Sequence, residues 1–326
     1  MSDIGRRSAL KLAAGLAAIP SVARAQPAKI TIATGVDPSF SAYYVAKESG
    51  IFTKNGLEVQ VNTGPSGSAM VALLIQNQVQ SAFGAEQAGL LNHALDPNVV
   101  VAAEGAMLAR WYGIVGKEIA SVDALKGKRL GIARGSGSEV FWLAVVNKLK
   151  LDPKDYKIVQ VEAPEMVAAL ERGDIDAYSA WEPWLTRGAA AVKGARLVTD
   201  NVGIIEGRVF IYVNKEWAVK NRAAAVSFMR SMVEATDVIN TKRDQAAADV
   251  AKFLKLDLPL TKLLMDKLSF DVHLDQQSVG NFQIAEAQLK SIGRLPKPVS
   301  WNTLFYPDLL REVAPSKVNY KLPDAT

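Results

Sequence analysis

Residues 70–87 read MVALLIQNQVQSAFGAEQ, and residues 166–183 read MVAALERGDIDAYSAWEP. Set at an offset of 96, the two stretches align Met70 with Met166, Val71 with Val167, Ala72 with Ala168, Leu74 with Leu170 and Glu86 with Glu182. Each runs from a helical apolar face through a polar turn into a short buried strand that ends on a carboxylate. A second pairing, at an offset of 100, sets TIATGVDPSF (31–40) against GIARGSGSEV (131–140) and lays Gly35 on Gly135. Two registers in the same order read as a duplicated unit.

Working outward, β-branched runs alternate with helical patterns. KITIATG (29–35), LEVQV (57–61), VQSAFG (79–84) and NVVVAAEG (98–105) read as strands, separated by helical SAYYVAKESGIF (41–52), SAMVALLIQ (68–76) and EQAGLLNHAL (86–95). The same grammar restarts at KRLGIARG (128–135) and closes near RVFIYVN (208–214), after which helical patterns dominate at about 217–240, 243–255, 260–268 and 276–291. The expectation is an α/β chain of two lobes, each a mainly parallel sheet flanked by helices, followed by a helical tail. In such sheets ligands bind outside the carboxyl ends of the strands, so the site is expected in a cleft between the lobes.

The first 25 residues are set aside from the fold. GRRSALKLAAGLAAIPSVARA (5–25) has a basic start, a short apolar run and a small-residue exit, which reads as an export signal peptide of the twin-arginine type and places the mature protein in the periplasm. Its removal takes away Arg6, Arg7, Lys11, Arg24 and Asp3, so the formal charge falls from +5 to +2. No basic run of five survives, which leaves nucleic-acid binding without an electrostatic footprint. The chain contains no cysteine, so the fold rests on its core rather than on disulfides. No further apolar stretch approaches 18 residues, and no membrane insertion is expected after the leader.

Three pairs of loops reach the expected cleft. Asp37, Ser39 and Phe40 follow the first strand; Arg134, Ser136 and Ser138 occupy the matching place in the second unit, where a serine-capped helix start forms an anion site. Ser66 lies in a Gly-Pro-Ser-Gly turn at another helix start. Glu86 and Glu182 follow their strands by equal counts, and each reads equally as a ligand contact or a helix cap. Trp181 and Trp184 offer flat contact area with an N–H donor. Arg110, Arg134 and Arg208 are candidates for holding an oxyanion. Tyr43, Tyr44, Phe141 and Trp142 follow the first-strand loops, toward the cleft entrance or into helix–sheet packing. The two histidines, His93 and His273, lie away from these loops, and no nucleophile elbow or metal-ligand spacing occurs, so neither catalysis, nor a metal, nor a cofactor is expected.

AYYVAKESGIFTKNGLEVQV (42–61), the helix–strand stretch at 69–84, SVDALKGKRLGIARGSGSEVFWLAVVNKLKL (121–151) and MVAALERGDIDAYSAWEPW (166–184) together resemble periplasmic solute-binding proteins of the nitrate, sulfonate and taurine type, which feed ABC importers. The resemblance implies a type II periplasmic-binding fold with lobe I at 26–111 and 214–326 and lobe II at 112–213, crossing near Tyr112 and Val213. It implies hinge closure on a small ligand, delivery to permease subunits, and a monomer. Sulfonate-binding members match the positions of Ser136 and Ser138, whereas relatives that bind thiamine-type pyrimidines carry a carboxylate at the position of Glu86. The expected ligand is a sulfonate or carboxylate with a donor or amine group; the alternatives are a thiamine-precursor-like pyrimidine or another heterocycle and, more remotely, an enzyme on the same scaffold.

Overall fold

The computed structural model describes residues 26–295 and 297–323. The expected export leader, 1–25, lies outside the described residues. The chain begins with β1 (Ala28–Thr34), α1 (Ser41–Glu48), α2 (Ile51–Lys54), β2 (Leu57–Thr63), α3 (Gly67–Ile75), β3 (Ser81–Gly84), α4 (Glu86–Leu95) and β4 (Val99–Leu108). It continues with β5 (Tyr112–Lys117), β6 (Arg129–Ile132), α5 (Gly137–Leu149), β7 (Lys157–Gln160), α6 (Met166–Arg172), β8 (Ala177–Trp181), α7 (Trp184–Ala191) and β9 (Ala195–Asp200). After β10 (Gly207–Asn214) come α8 (Lys215–Lys220), α9 (Arg222–Thr241), α10 (Arg243–Leu254), α11 (Leu258–Met265), β11 (Leu268–Asp275) and α12 (Gln276–Ser291). Short α13 (Trp301–Leu304), α14 (Asp308–Val313) and β12 (Val318–Asn319) complete it.

Two sheets form, in the orders β12-β11-β4-β10-β3-β1-β2 and β7-β6-β8-β5-β9. The internal repeat is visible in both. The triplets β2-β1-β3 and β7-β6-β8 are parallel, and each is followed by an antiparallel strand, β10 or β5, that arrives from the other lobe. The sheets are therefore mixed rather than mainly parallel: β11 also runs antiparallel to β4, as does β9 to β5. The strand that enters from the partner lobe runs against its neighbours, which the local βαβ pattern cannot register.

The lobe boundary expected near Val213 moves upstream. Gly207–Asn214 pairs with β3 and β4 of the seven-stranded sheet, and all eight residues are buried. A central strand covered on both faces calls for a buried run of this kind, apolar from Val209 to Val213. The second crossing is thus Asn201–Glu206, and residues 207–213 belong with the first lobe. The tail also holds a strand where helix dominated the reading. In β11, Leu268, Phe270, Val272 and Leu274 face the core in strict alternation.

Asn201 ties the two crossings together. Its Oδ1 accepts the backbone N–H groups of Trp111 and Tyr112 at 2.8 and 3.1 Å, while its Nδ2 donates to the carbonyls of Leu108, Ala109 and Ile205. One buried amide thereby serves five backbone groups at the point where the lobes join. Among the described residues, no helix is long and apolar enough to cross a membrane.

Candidate ligand site between the lobes

The loop after β1 turns at Asp37, whose carboxylate caps a short 3-10 turn, Pro38–Phe40. Oδ1 accepts the Ser39 N–H at 2.9 Å and the Ser39 hydroxyl at 2.5 Å. Oδ2 accepts the indole N–H of Trp181, at the end of β8 in the other lobe, at 2.9 Å. Asp37 is 2% exposed, and burial pushes its carboxyl up to about 6, with the bonds from Ser39 and Trp181 pulling the other way.

Beside this bridge lies a small cavity of about 30 Å³ that is partly open to solvent. Phe40, Trp111, Tyr112 and Trp181 form aromatic walls, Leu108 and Val209 add aliphatic surface, and Asp37 and Ser39 supply the polar side chains. Among the described residues, no lysine, arginine or histidine lines it. Gly67 and Gly137, the first residues of α3 and α5, also face the space. The positive dipole ends of these two helices favour negative charge, although the Ala69 and Ser138 N–H groups of their first turns are already taken by the capping Ser66 and Ser136. Glycine is needed at both places: a Cβ on Gly67 would lie 2.7 Å from the Gly84 Cα, and one on Gly137 would lie 2.5 Å from the Tyr112 ring.

Asp37, Ser39, Phe40 and Trp181 are thus brought together as cavity lining; the remaining expected residues take other places. Ser136 donates to the Ala133 carbonyl and accepts the Ser138 N–H; Ser138 donates to the Ser179 carbonyl and accepts the Ala133 N–H. Both are buried and occupied within their own lobe, so only the backbone at Gly137 reaches the cavity. Ser66 caps α3 through the Ala69 N–H. Arg134 is exposed, with its backbone N–H bonded to Gln160.

The two glutamates aligned by the repeat diverge. Glu182 caps α7, accepting the Thr186 N–H and hydroxyl at 3.1 and 3.0 Å, and pairs with Lys267 of the first lobe at 2.6 Å. Of its two expected readings, ligand contact or helix cap, this geometry is the cap, and the residue is not part of the cavity lining. Glu86 is 4% exposed and is not part of the cavity lining, to which the preceding Gly84 and Ala85 contribute. Burial pushes this carboxyl up to about 8, Glu104 adding to the rise and Arg208 opposing it.

Arg208 is bound inside the first lobe. It donates to Glu104 at 2.5 Å and to Glu206 and Gln277, and Glu104 also accepts the Ser278 hydroxyl. His273 and Asp275 approach Glu104 closely enough to be considered as metal ligands, but both Glu104 oxygens already accept from these partners. Arg110 pairs with Asp200 beside the crossings, and Trp184 packs into the second lobe with Arg187 over its ring. Tyr43, Tyr44, Phe141 and Trp142 are core residues, Tyr44 stacked on Phe253 and Trp142 edge-on to Tyr156.

Sequence reasoning missed Trp111 and Tyr112. Their signal was two aromatics at an expected crossing between lobes, where a cleft closes over its ligand. It also weighed the serines of the glycine turns when the glycines themselves face the cavity.

A family model described as NMT1/THI5 like matches residues 37–246. A putative aliphatic sulfonates-binding protein of Bacillus subtilis is 26% identical over 276 residues, covering 77% of this chain and 80% of that protein. The periplasmic aliphatic sulphonate binding protein SsuA from Escherichia coli superposes with a TM-score of 0.71 at 19% identity, covering 87% of this chain and 99% of SsuA. The desulfurization enzyme DszB shares the fold at a TM-score of 0.62 and 17% identity, covering 88% of this chain and 99% of that one.

Proposed function

The chain belongs to the NMT1/THI5-like family, and from that premise we propose that it is an exported, periplasmic, monomeric solute-binding protein that closes on a small organic ligand and delivers it to an ABC importer. The observation that carries the reading is the cavity between the lobes, where one buried carboxylate shares the lining with two helix N-termini. A plain anion would gain from the helix ends, but it would face Asp37 with no side-chain cation to offset the repulsion. A ligand with an anionic group and an ammonium or donor group satisfies both ends. The sulfonate or carboxylate would meet the N–H groups at Gly67 and Gly137, and the donor would meet the remaining acceptor capacity of Asp37.

The aromatic walls favour a second reading. Phe40, Trp111, Tyr112 and Trp181 are the surfaces on which a pyrimidine-like heterocycle would stack, its exocyclic amine on Asp37.

A thermal-shift series on the leaderless protein separates the two, because a ligand that binds the folded state raises the midpoint with its concentration. An aminosulfonate such as taurine is expected to raise it more than the alkanesulfonate of equal length. A shift with pyrimidines alone selects the second reading. A plain sulfonate that binds as well as its amino counterpart removes the role given to Asp37, and consumption of the ligand would make the protein an enzyme.

A further inference from the structure

Away from the crossings, two ion pairs join the lobes among the described residues. Lys267, between α11 and β11, holds Glu182 at 2.6 Å, and Arg294, just after α12, pairs with Glu139. Both cations come from the C-terminal segment of the first lobe. Both acceptors are less than a tenth exposed and stand at the first turns of second-lobe helices, Glu182 beside α7 and Glu139 within α5. Glu139 also accepts the Gly135 N–H at 2.7 Å, and Glu182 accepts Thr186, so each carboxylate is locally oriented before the cation reaches it. None of the four side chains lines the cavity.

We propose that Lys267 and Arg294 form a two-point clasp that sets the resting balance between open and closed lobes, separately from the ligand. Opening would strip both glutamates of their cationic partners and return all four groups to water. Pairs of this partly exposed kind are individually modest, yet two acting together shift an equilibrium measurably. The clasp also gives the helical tail a role in lobe closure, because the tail carries cations that reach the second lobe although it packs on the first. The proposal rests on lobe motion about the two crossings and is independent of which ligand is bound.

The test needs no ligand. The chain lacks cysteine, so Leu95→Cys and Leu149→Cys, at exposed sites on the two lobes, accept a pair of spin labels. Distances by pulsed electron resonance report the closed-to-open ratio in the leaderless protein. Lys267→Met with Arg294→Met is expected to lower that ratio by about two- to thirtyfold, from two pairs of ordinary strength. Glu182→Lys alone is expected to shift the lobes open, and adding Lys267→Glu to restore the original distribution. An unchanged distribution in the folded double variant overturns the clasp. Should that variant fail to fold, the charge exchange decides: failure of Lys267→Glu to reverse the effect of Glu182→Lys overturns it equally. Loss of ligand binding with the lobe balance intact would count against the ligand reading and leave the clasp standing.

Discussion

Trp181 of the second lobe donates its indole N–H to Asp37 of the first across 2.9 Å, so a wall of the cavity and its carboxylate are joined by one bond between lobes. That bond stabilises the ionised carboxylate against burial. In the protein without ligand, Asp37 is expected to titrate near pH 6. Trp181→Phe, which removes the donor and keeps an aromatic wall, is expected to move the midpoint upward. Carboxylate carbon NMR measures both, and an unmoved midpoint would show that the indole bond does not act on Asp37.

The same carboxylate should make ligand capture depend on pH. An amine-bearing ligand gains its ion pair only when Asp37 is ionised, so affinity is expected to rise with pH up to about 6 and then level. Below that point it should fall roughly tenfold per pH unit. Calorimetric titration from pH 4.5 to 8 gives the profile, and Asp37→Asn should be weaker and flat across this range.

Glu86 makes a different prediction, for the empty protein's stability. Its carboxyl is raised in the fold from 4.5 to about 8, mainly by burial. Between those values the folded state holds the proton more firmly than the unfolded chain. The contribution to stability is therefore complete below about pH 4.5 and is lost as pH rises through about 8. Glu86→Gln is expected to flatten this part of the profile and to raise the melting temperature at pH 8 by several degrees. Melting curves taken at half-unit steps would expose an error if the variant kept the wild-type slope.

Asn201→Ala is expected to be among the most damaging single truncations. It removes the partner of backbone groups on both crossings, several of them buried, at a cost of about 3 kcal/mol. Urea unfolding measures the loss. A change below about 1 kcal/mol would mean that water replaces the amide without difficulty.

Gly67→Ala tests the close approach that opens α3 onto the cavity. The added methyl would meet the backbone of Gly84, which cannot turn away as a side chain can. The helix must shift, with an expected destabilisation of about 1–3 kcal/mol and weakened ligand binding. Gly50→Ala provides the contrast: its Cβ would meet nothing within 4 Å, although its φ of 71° carries a separate conformational cost.

Much of the architecture was legible because it is local. The alternating runs identify β1 to β4, β6 to β8 and the helices among them, and the offset repeat anticipates the matching parallel triplets, whereas β5 and β9 went unread. Residues 207–213 were misplaced because their apolar run fits a buried strand in either sheet; only pairing with β3 and β4 assigns it. The alternation in LSFDVHLD was legible as β11, but the helical patterns on both sides masked it.

At the site, residue types near strand ends singled out Asp37, Ser39, Phe40 and Trp181, since a loop leaving a strand end delivers its first residues to the cleft. The same reasoning could not separate Glu86 from Glu182. The sequence by itself determined that two related α/β units each end a strand on a carboxylate beside a helix. Only the tertiary structure decided that one carboxylate lies buried away from the cavity lining, that the other faces Lys267, and that Asp37 is the acid left on the cavity. Those outcomes depend on which groups from the other lobe and the tail meet each carboxylate, and burial and counter-charge are properties of the assembled fold rather than of its segments.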